Sequence, residues 1–404
     1  MEKNFIIIGS GVAAVNAAKT IREYDKESNI FIFGEEPSLP YRRIKLSKDL
    51  YSDLHSEKVL IKKQKWYQDN HISVFTNTKV VKIDTNEQFI ITFNKEEFSY
   101  HKLLICTGAN NRRLKINGTN KKNIFTIRDM QEADRLKEYL EDKESIVNIG
   151  GGVQGIETAW SILKAGKKVS IVEVAPLLMR KQLDTKSSLL LKQKIESEGV
   201  KVYLNASIDS ILGEETVTGI KMNGNNQINC DSIVYSIGIT PNTTLVHDTA
   251  IKLNRGIVVD EKMRTNIESV YAAGDVVEVN DEIEGLWGTA LEQGRVAGSN
   301  MVSKTAIYKK EIPTTIFNAF NVSLFSIGFV NEEQCDATIV EEDGKEKYTR
   351  LFIKDNKIVG VISLEGVTAS IPYKSAIEKQ VSLEGIDLLN TNISEIMSKL
   401  KEKI

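Results

Sequence analysis

Four consecutive apolar residues, Phe5-Ile6-Ile7-Ile8, run into Gly9-Ser10-Gly11, after which apolar positions recur every third residue at Val12, Val15, Ala18 and Ile21. A short unbroken apolar run predicts a buried strand, and the threefold-spaced stripe predicts a helix with one buried face. The same order returns at Ile146-Val147-Asn148-Ile149, Gly150-Gly151-Gly152 and a stripe of Ile156, Ala159, Trp160 and Leu163. Each unit then closes with a second apolar strand ending in an acid: Asn29 to Phe33 leads to Glu35, and Val169 to Val172 leads to Glu173. Gly166 is placed to cap the second helix.

This repeated strand, glycine turn, helix and acid has a chemical reading. The first glycine permits a tight turn, and Gly11 or Gly152 lets a pyrophosphate approach free N–H groups at a helix N-terminus. Ala14 and Gly155 are small enough for close helix–strand packing, and an acid a little over ~20 residues after the first glycine can accept from a ribose hydroxyl. Two dinucleotide sites are therefore expected.

Further strand-like stretches lie near residues 73–93, 200–222 and 256–263, and the pattern changes around Pro313. Beyond it, strands are expected at Val322–Val330, Ala337–Glu341, Tyr348–Lys354 and Lys357–Leu364, followed by helices. The tail carries Ile393, Ile396, Met397, Leu400 and Ile404 at helical spacing beside Lys399, Lys401 and Lys403, a stripe expected to pack on its own domain. The resulting fold class is α/β: two Rossmann-like dinucleotide-binding domains plus a C-terminal α+β domain. Their expected limits are 1–110 with 239–311, 111–238, and 312–404.

The 404 residues carry a formal net charge of -2, so no global field draws the chain to nucleic acid or anionic lipid. No apolar run approaches the ~20 residues of a membrane span, and the first residues lack a signal-peptide layout, so a cytoplasmic location away from membranes is expected. Cys106, Cys230 and Cys335 are scattered, with no CxxC spacing and no histidine cluster, which argues against structural disulfides and a metal centre.

Together with the two units, Leu103-Leu104-Ile105-Cys106-Thr107-Gly108-Ala109 and Val270-Tyr271-Ala272-Ala273-Gly274-Asp275 resemble the FAD- and NAD(P)H-dependent reductases of the glutathione-reductase fold. Within them, Leu39-Pro40-Tyr41-Arg42-Arg43-Ile44-Lys45-Leu46-Ser47-Lys48 is similar to a segment of the NADH:rubredoxin and ferredoxin reductases and of the flavin part of assimilatory nitrite reductases. Residues 178–184 and 285–294 point the same way. The resemblance implies FAD bound by Gly9, Gly11, Ala14, Glu35, Arg43, Lys48, Val81, Thr107, Gly108 and Asp275, with Trp287 near the flavin. It implies NADH bound by Gly150, Gly152, Gly155, Glu157, Glu173 and Gly238, and a catalytic pairing of Lys48 with Glu157 where nicotinamide meets flavin. Arg43 would then offer charge-assisted bonds to the pyrophosphate, and Asp275 would accept from a ribityl hydroxyl.

Related disulfide reductases carry a CxxxxC, and another branch carries one cysteine near positions 42 to 44, where this chain has Arg42-Arg43-Ile44. No thiol is therefore expected to act beside the flavin. The implied function is hydride transfer from NADH to FAD, followed by electron transfer to a small carrier protein such as rubredoxin or ferredoxin. A flavin module of a nitrite-reducing system is one alternative, and an FAD- and NADH-responsive redox-sensing protein is another. Glu173 favours NADH, since it would face a 2′-phosphate with like charge. Arg42, Lys45, Lys58, Lys62, Lys63 and Lys65 form an expected basic rim for an acidic carrier, and either a monomer or a homodimer is compatible with the chain.

Overall fold

The strand before Gly9 is central in a parallel five-stranded sheet ordered Val270–Ala272, Lys102–Ile105, Asn4–Ile8, Asn29–Phe33 and Ile72–Phe75. Its flanking strands are reached by connections on opposite sides, so the strand order reverses where Gly9 emerges, which is where open parallel sheets bind ligands. In this computed structural model, residues 3–343, 347–364, 366–388 and 390–401 are described.

A second five-stranded sheet repeats the arrangement, with Ser145–Ile149 between Lys168–Val172 and Ser232–Tyr235, and with Lys201–Tyr203 and Ile124–Phe125 at its edges. The chain leaves and re-enters the first sheet through paired antiparallel strands, Ala109–Asn111 and Ile239–Pro241. Gly166, at φ 81, follows the Val153–Lys164 helix and terminates it. Among the described residues, no helix is long and apolar enough to cross a membrane.

The C-terminal part is an antiparallel sheet of Thr314–Ala319, Val322–Gly328, Lys357–Ser363, Lys347–Lys354 and Ala337–Asp343, covered by helices Ser370–Glu378 and Ile393–Lys401. Its first strand escaped the sequence pattern, because Thr314 to Ala319 carries only Ile316 and Phe317 as large apolar residues. The hairpin turns on Phe320 and Asn321, both at positive φ (53 and 56). That twist suits a two-residue hairpin, but it is normally signalled by Asn-Gly, which is absent here. Ile393, Ile396, Met397 and Leu400 are buried against Phe325, Ile327 and Leu351 of their own sheet. Lys403 and Ile404 lie outside the described residues, as does the side chain of Lys401.

One apolar cluster joins all three parts. Leu46 and Leu50 of the segment after Arg43, Ile156 and Ala159 of the second glycine helix, and Phe317 and Phe320 of the C-terminal hairpin are all buried within it. Trp160 packs on Phe320 with ring centroids 4.8 Å apart.

A polar clasp reinforces this junction. Asp184 caps the Thr185–Ser197 helix by accepting from the Ser187 amide at 2.8 Å, and its other oxygen accepts from the Tyr348 hydroxyl and from Arg350 Nη1 at 3.1 Å. Burial opposes ionisation of Asp184, but the bonds from Ser187, Tyr348 and Arg350 outweigh it and hold the carboxyl below its ordinary value. Asp184→Ala should therefore cost about 3 kcal/mol, since it strips a nearly buried guanidinium of one partner and removes a cap. A depressed folded pKa means that the stabilisation is present above roughly pH 4 and is lost as pH falls through the folded value. Urea unfolding should accordingly show a wild-type advantage at pH 7 that shrinks on acidification below that point. An equal difference at both pH values would contradict the assignment.

Candidate functional site

Gly9 has φ 108, and a Cβ there would lie 2.1 Å from the carbonyl oxygen of Cys106. Only glycine lets the turn cross the end of the neighbouring strand so closely. Gly11 precedes the Val12–Tyr24 helix, and a Cβ at this position would meet nothing within 4 Å, so the helix N-terminus is open. Ala14 is fully buried. The helix itself is held by Trp287–Met301, where a Cβ on Gly294 would come within 2.2 Å of Ala13 O.

Above this turn lies a cavity of about 1440 Å³, bordered by Gly9, Gly11, Glu35, Arg43, Val81, Thr107, Gly108, Asp275 and Trp287. Nine residues expected from distant stretches of sequence thus surround one space, larger than the ~300–1,000 Å³ of ordinary small-ligand sites. Its shape chemistry fits a dinucleotide: an open helix N-terminus, two guanidiniums and small residues where a pyrophosphate would approach. The side chain of Glu35 is 58% exposed and faces Lys79 at 3.2 Å. Thr107 Oγ1 donates to Asn242 O at 2.8 Å, which ties the loop to the returning chain.

Two partners of this site were not legible in the sequence. Arg128 reaches into the cavity and pairs with Asp275 Oδ2 at 2.8 Å, so the carboxylate expected to face a ribityl hydroxyl faces a guanidinium here. Glu36, next to the expected Glu35, takes the ion pair with Arg43, which also donates to the Tyr41 hydroxyl and to Arg128 O at 3.0 Å each. Arg128 had one local signal. Asp129 caps the Met130–Leu140 helix, and Glu132 reaches back to the Arg128 amide at 2.8 Å, a capping-box pattern that marks the helix start but says nothing of Asp275.

The second glycine turn repeats the first. Gly150 has φ 115, with a would-be Cβ 2.3 Å from Ser236 O, and a Cβ on Gly155 would lie 2.1 Å from Gly150 O. Gly152 is open, with nothing within 4 Å. The Glu173 carboxylate accepts from the Gly151 amide at 2.6 Å and the Ala175 amide at 2.7 Å, so it braces the glycine turn itself. Gly238, at φ 101, sits at the re-entrant crossing, where its carbonyl accepts from the Arg112 amide at 2.9 Å. Residues 150, 152, 155, 173 and 238 are not among those bordering the cavity over Gly9.

Lys48 and Glu157 come together at 3.4 Å, across the contact between the one-turn helix Lys45–Lys48 and the second glycine helix. Glu157 is 4% exposed, and burial pushes its carboxyl upward while Lys48 and a bond from Ser47 Oγ at 3.2 Å hold it back. The pair links the two nucleotide units without bordering the cavity itself.

All three cysteines are free. Cys106 does border the cavity, which its place in an apolar strand did not suggest, but it is buried beneath Gly9 and its thiol is pushed far above its ordinary value by burial. Cys230 is pushed up to about 12 by burial, and Cys335 is also raised. Thiolate chemistry is disfavoured at each. The expected basic rim is half neutralised: Lys45 pairs with Asp49, Lys63 with Glu57 and Lys65 with Asp69, each carboxylate lying within one turn or on the same loop. Arg42, Lys58 and Lys62 are the remaining cations of that set.

Comparison with known proteins agrees with this geometry. The pattern of the pyridine nucleotide-disulphide oxidoreductase family matches residues 3–294, and that of the rubredoxin NAD+ reductase C-terminal domain matches residues 313–381. The chain is 31% identical over 405 residues to a nitrite reductase [NAD(P)H] of Bacillus subtilis, spanning 100% of this chain but only 50% of that protein. It is 29% identical over 391 residues to an NADH-rubredoxin oxidoreductase of Clostridium acetobutylicum, covering 97% of this chain and 98% of that one. A ferredoxin reductase from Rhodopseudomonas palustris shares the fold with a TM-score of 0.89 at 22% identity, over 98% of this chain and 99% of that one.

Proposed function

The chain belongs to the pyridine nucleotide-disulphide oxidoreductase family, and from that membership we propose that it is an FAD-containing, NADH-dependent oxidoreductase that delivers electrons to a small carrier protein of rubredoxin or ferredoxin type. The observation that carries this reading is the cavity over Gly9, with its open helix N-terminus and two guanidiniums, beside a second glycine turn whose helix is held to the Lys45–Lys48 segment by the Lys48–Glu157 pair. FAD, held by the residues around the Gly9 cavity, would supply the chemistry of accepting a hydride from NADH and releasing electrons one at a time.

The chain's own residues supply placement and charge. Gly11 and the first turn of its helix receive the pyrophosphate, with Arg43 held by Glu36 and Tyr41 beside it. Arg128 is the second guanidinium at the cavity, held by Asp275 where it can offer charge to the cofactor. Gly152 admits the NADH pyrophosphate, while Glu173 steadies the turn and disfavours a 2′-phosphate. Lys48 places a positive charge at the junction of the two sites, and Glu157 orients it. The remaining cations Arg42, Lys58 and Lys62 offer an acidic carrier a landing face. The domain limits 1–110 with 239–311, 111–238 and 312–404, and a cytoplasmic setting, belong to the same proposal.

A second reading has its own support, since the whole chain matches half of a nitrite reductase: it would be the NADH-oxidising module of a nitrite-reducing system. Anaerobic assays with NADH as donor separate the two. Rapid reduction of a rubredoxin or ferredoxin is expected. Turnover only when a nitrite-reducing partner protein is added would favour the second reading, and no reduction of any protein acceptor would overturn both.

A further inference from the structure

We propose that Ser161 is a positioning residue for the Lys48–Glu157 pair, a role that rests on the function proposed above. Ser161 lies four residues after Glu157 on the Val153–Lys164 helix, so the two share one face, one turn apart. It is 4% exposed. Its hydroxyl lies 2.9 Å from the Ser47 carbonyl oxygen and 3.1 Å from that of Lys48, with a geometry that shares one proton between them.

These are the last two carbonyls of the one-turn helix Lys45–Lys48, and the final carbonyls of a helix have no partner within it. The Ser161 hydroxyl supplies a donor there. The grip is reciprocal, because Ser47 Oγ donates to Glu157 Oε2 at 3.2 Å while Lys48 Nζ stands 3.4 Å from Glu157 Oε1. Two residues of one helix thus hold two consecutive residues of the other, across the boundary between the two nucleotide units. Four residues form too short a helix to hold their own geometry. The place of the Lys48 ammonium is therefore set by the hydroxyl that secures the Lys48 backbone. On the neighbouring face the same helix is braced by Trp160 against Phe320, with ring centroids 4.8 Å apart, a contact that does not involve the hydroxyl.

Four proteins test this: Ser161→Ala, Ser161→Thr, Lys48→Ala and the double variant Lys48→Ala/Ser161→Ala, each loaded with FAD. Ser161→Ala should slow reduction of FAD by NADH roughly tenfold, the scale of one lost buried hydrogen bond, while FAD content is retained. Ser161→Thr should restore the rate. In the Lys48→Ala background, removing Ser161 should add less than about twofold, because the group it positions is already gone. The midpoint potential of bound FAD should move in the same direction in Ser161→Ala as in Lys48→Ala, and amide exchange over residues 45–50 should quicken in FAD-free Ser161→Ala. A wild-type rate and potential in Ser161→Ala would overturn the inference, as would an equal slowing in both backgrounds. If Lys48→Ala itself leaves rate and potential unchanged, the failure lies instead with the function assigned to the pair.

Discussion

Gly150→Ala is expected to yield a protein that still holds FAD but is reduced by NADH only at nucleotide concentrations raised at least tenfold. The new Cβ would lie 2.3 Å from the Ser236 carbonyl oxygen, a contact with backbone that cannot rotate away, at a φ of 115 that side chains rarely adopt. Backbone strain of this kind costs roughly 1–3 kcal/mol before the clash is counted, and each ~1.4 kcal/mol is a factor of ten in affinity. The turn must shift, although it is tied on both sides: the Gly150 amide donates to Val172 O at 2.9 Å and the Ser236 amide to Ile149 O at 2.8 Å. FAD content should be preserved because Gly9 and its cavity belong to the other sheet. Gly152→Ala provides the contrast. Its Cβ has open space, so melting should be unchanged while NADH affinity falls, because the methyl occupies the approach of the pyrophosphate. Wild-type KM for NADH in both variants would show that the second glycine turn does not hold NADH.

Lys48→Ala is expected to slow reduction of bound FAD roughly tenfold to a hundredfold, at or below the lower end of the ~10²–10³ range for deleting one electrostatic partner of a developing charge, because Lys48 does not border the cavity. Glu157 would then be left buried without its cation. Burial already raises its carboxyl and Lys48 opposes that rise, so the variant's Glu157 should move higher still and take up a proton nearer neutrality. Glu157→Gln, which keeps the shape and removes the charge, should slow the reaction less than Lys48→Ala. Stopped-flow traces of the flavin absorbance measure both, and equal rates in all three proteins would separate this pair from the chemistry.

Both glycine turns could be read from the sequence because their constraint is local. A positive φ and a carbonyl two ångströms from a would-be Cβ leave one residue type, and the strand and helix patterns lie on either side of it. Glu173 could be placed by spacing, but its bonds to the Gly151 and Ala175 amides could not. Arg128 and Asp275 are 147 residues apart and meet only because the loop after Ile124–Phe125 of the second sheet reaches the loop after Val270–Ala272 of the first, a fact that no periodicity reports. Arg43 was expected to face a phosphate, and the neighbouring carboxylate that holds it, Glu36, is adjacent to the acid that spacing selected. The pairing of half the basic rim was hidden for a related reason. A count of lysines does not show that Asp49, Glu57 and Asp69 lie within reach of three of them. Ser161 lies beside the apolar stripe as one more small residue until the Lys45–Lys48 helix is seen against it.

In the proposed reaction electrons pass from NADH to FAD and onward without a thiol, although Cys106 borders the cavity. Anaerobic titration of the Cys106→Ala/Cys230→Ser/Cys335→Ser protein with NADH examines this. This protein should bind about one FAD per chain, as a single site of this kind requires, lose its visible flavin absorbance on adding one equivalent of NADH, and recover it when an oxidised rubredoxin or ferredoxin is supplied. FAD that stays oxidised in the cysteine-free protein while the wild type is reduced would contradict it.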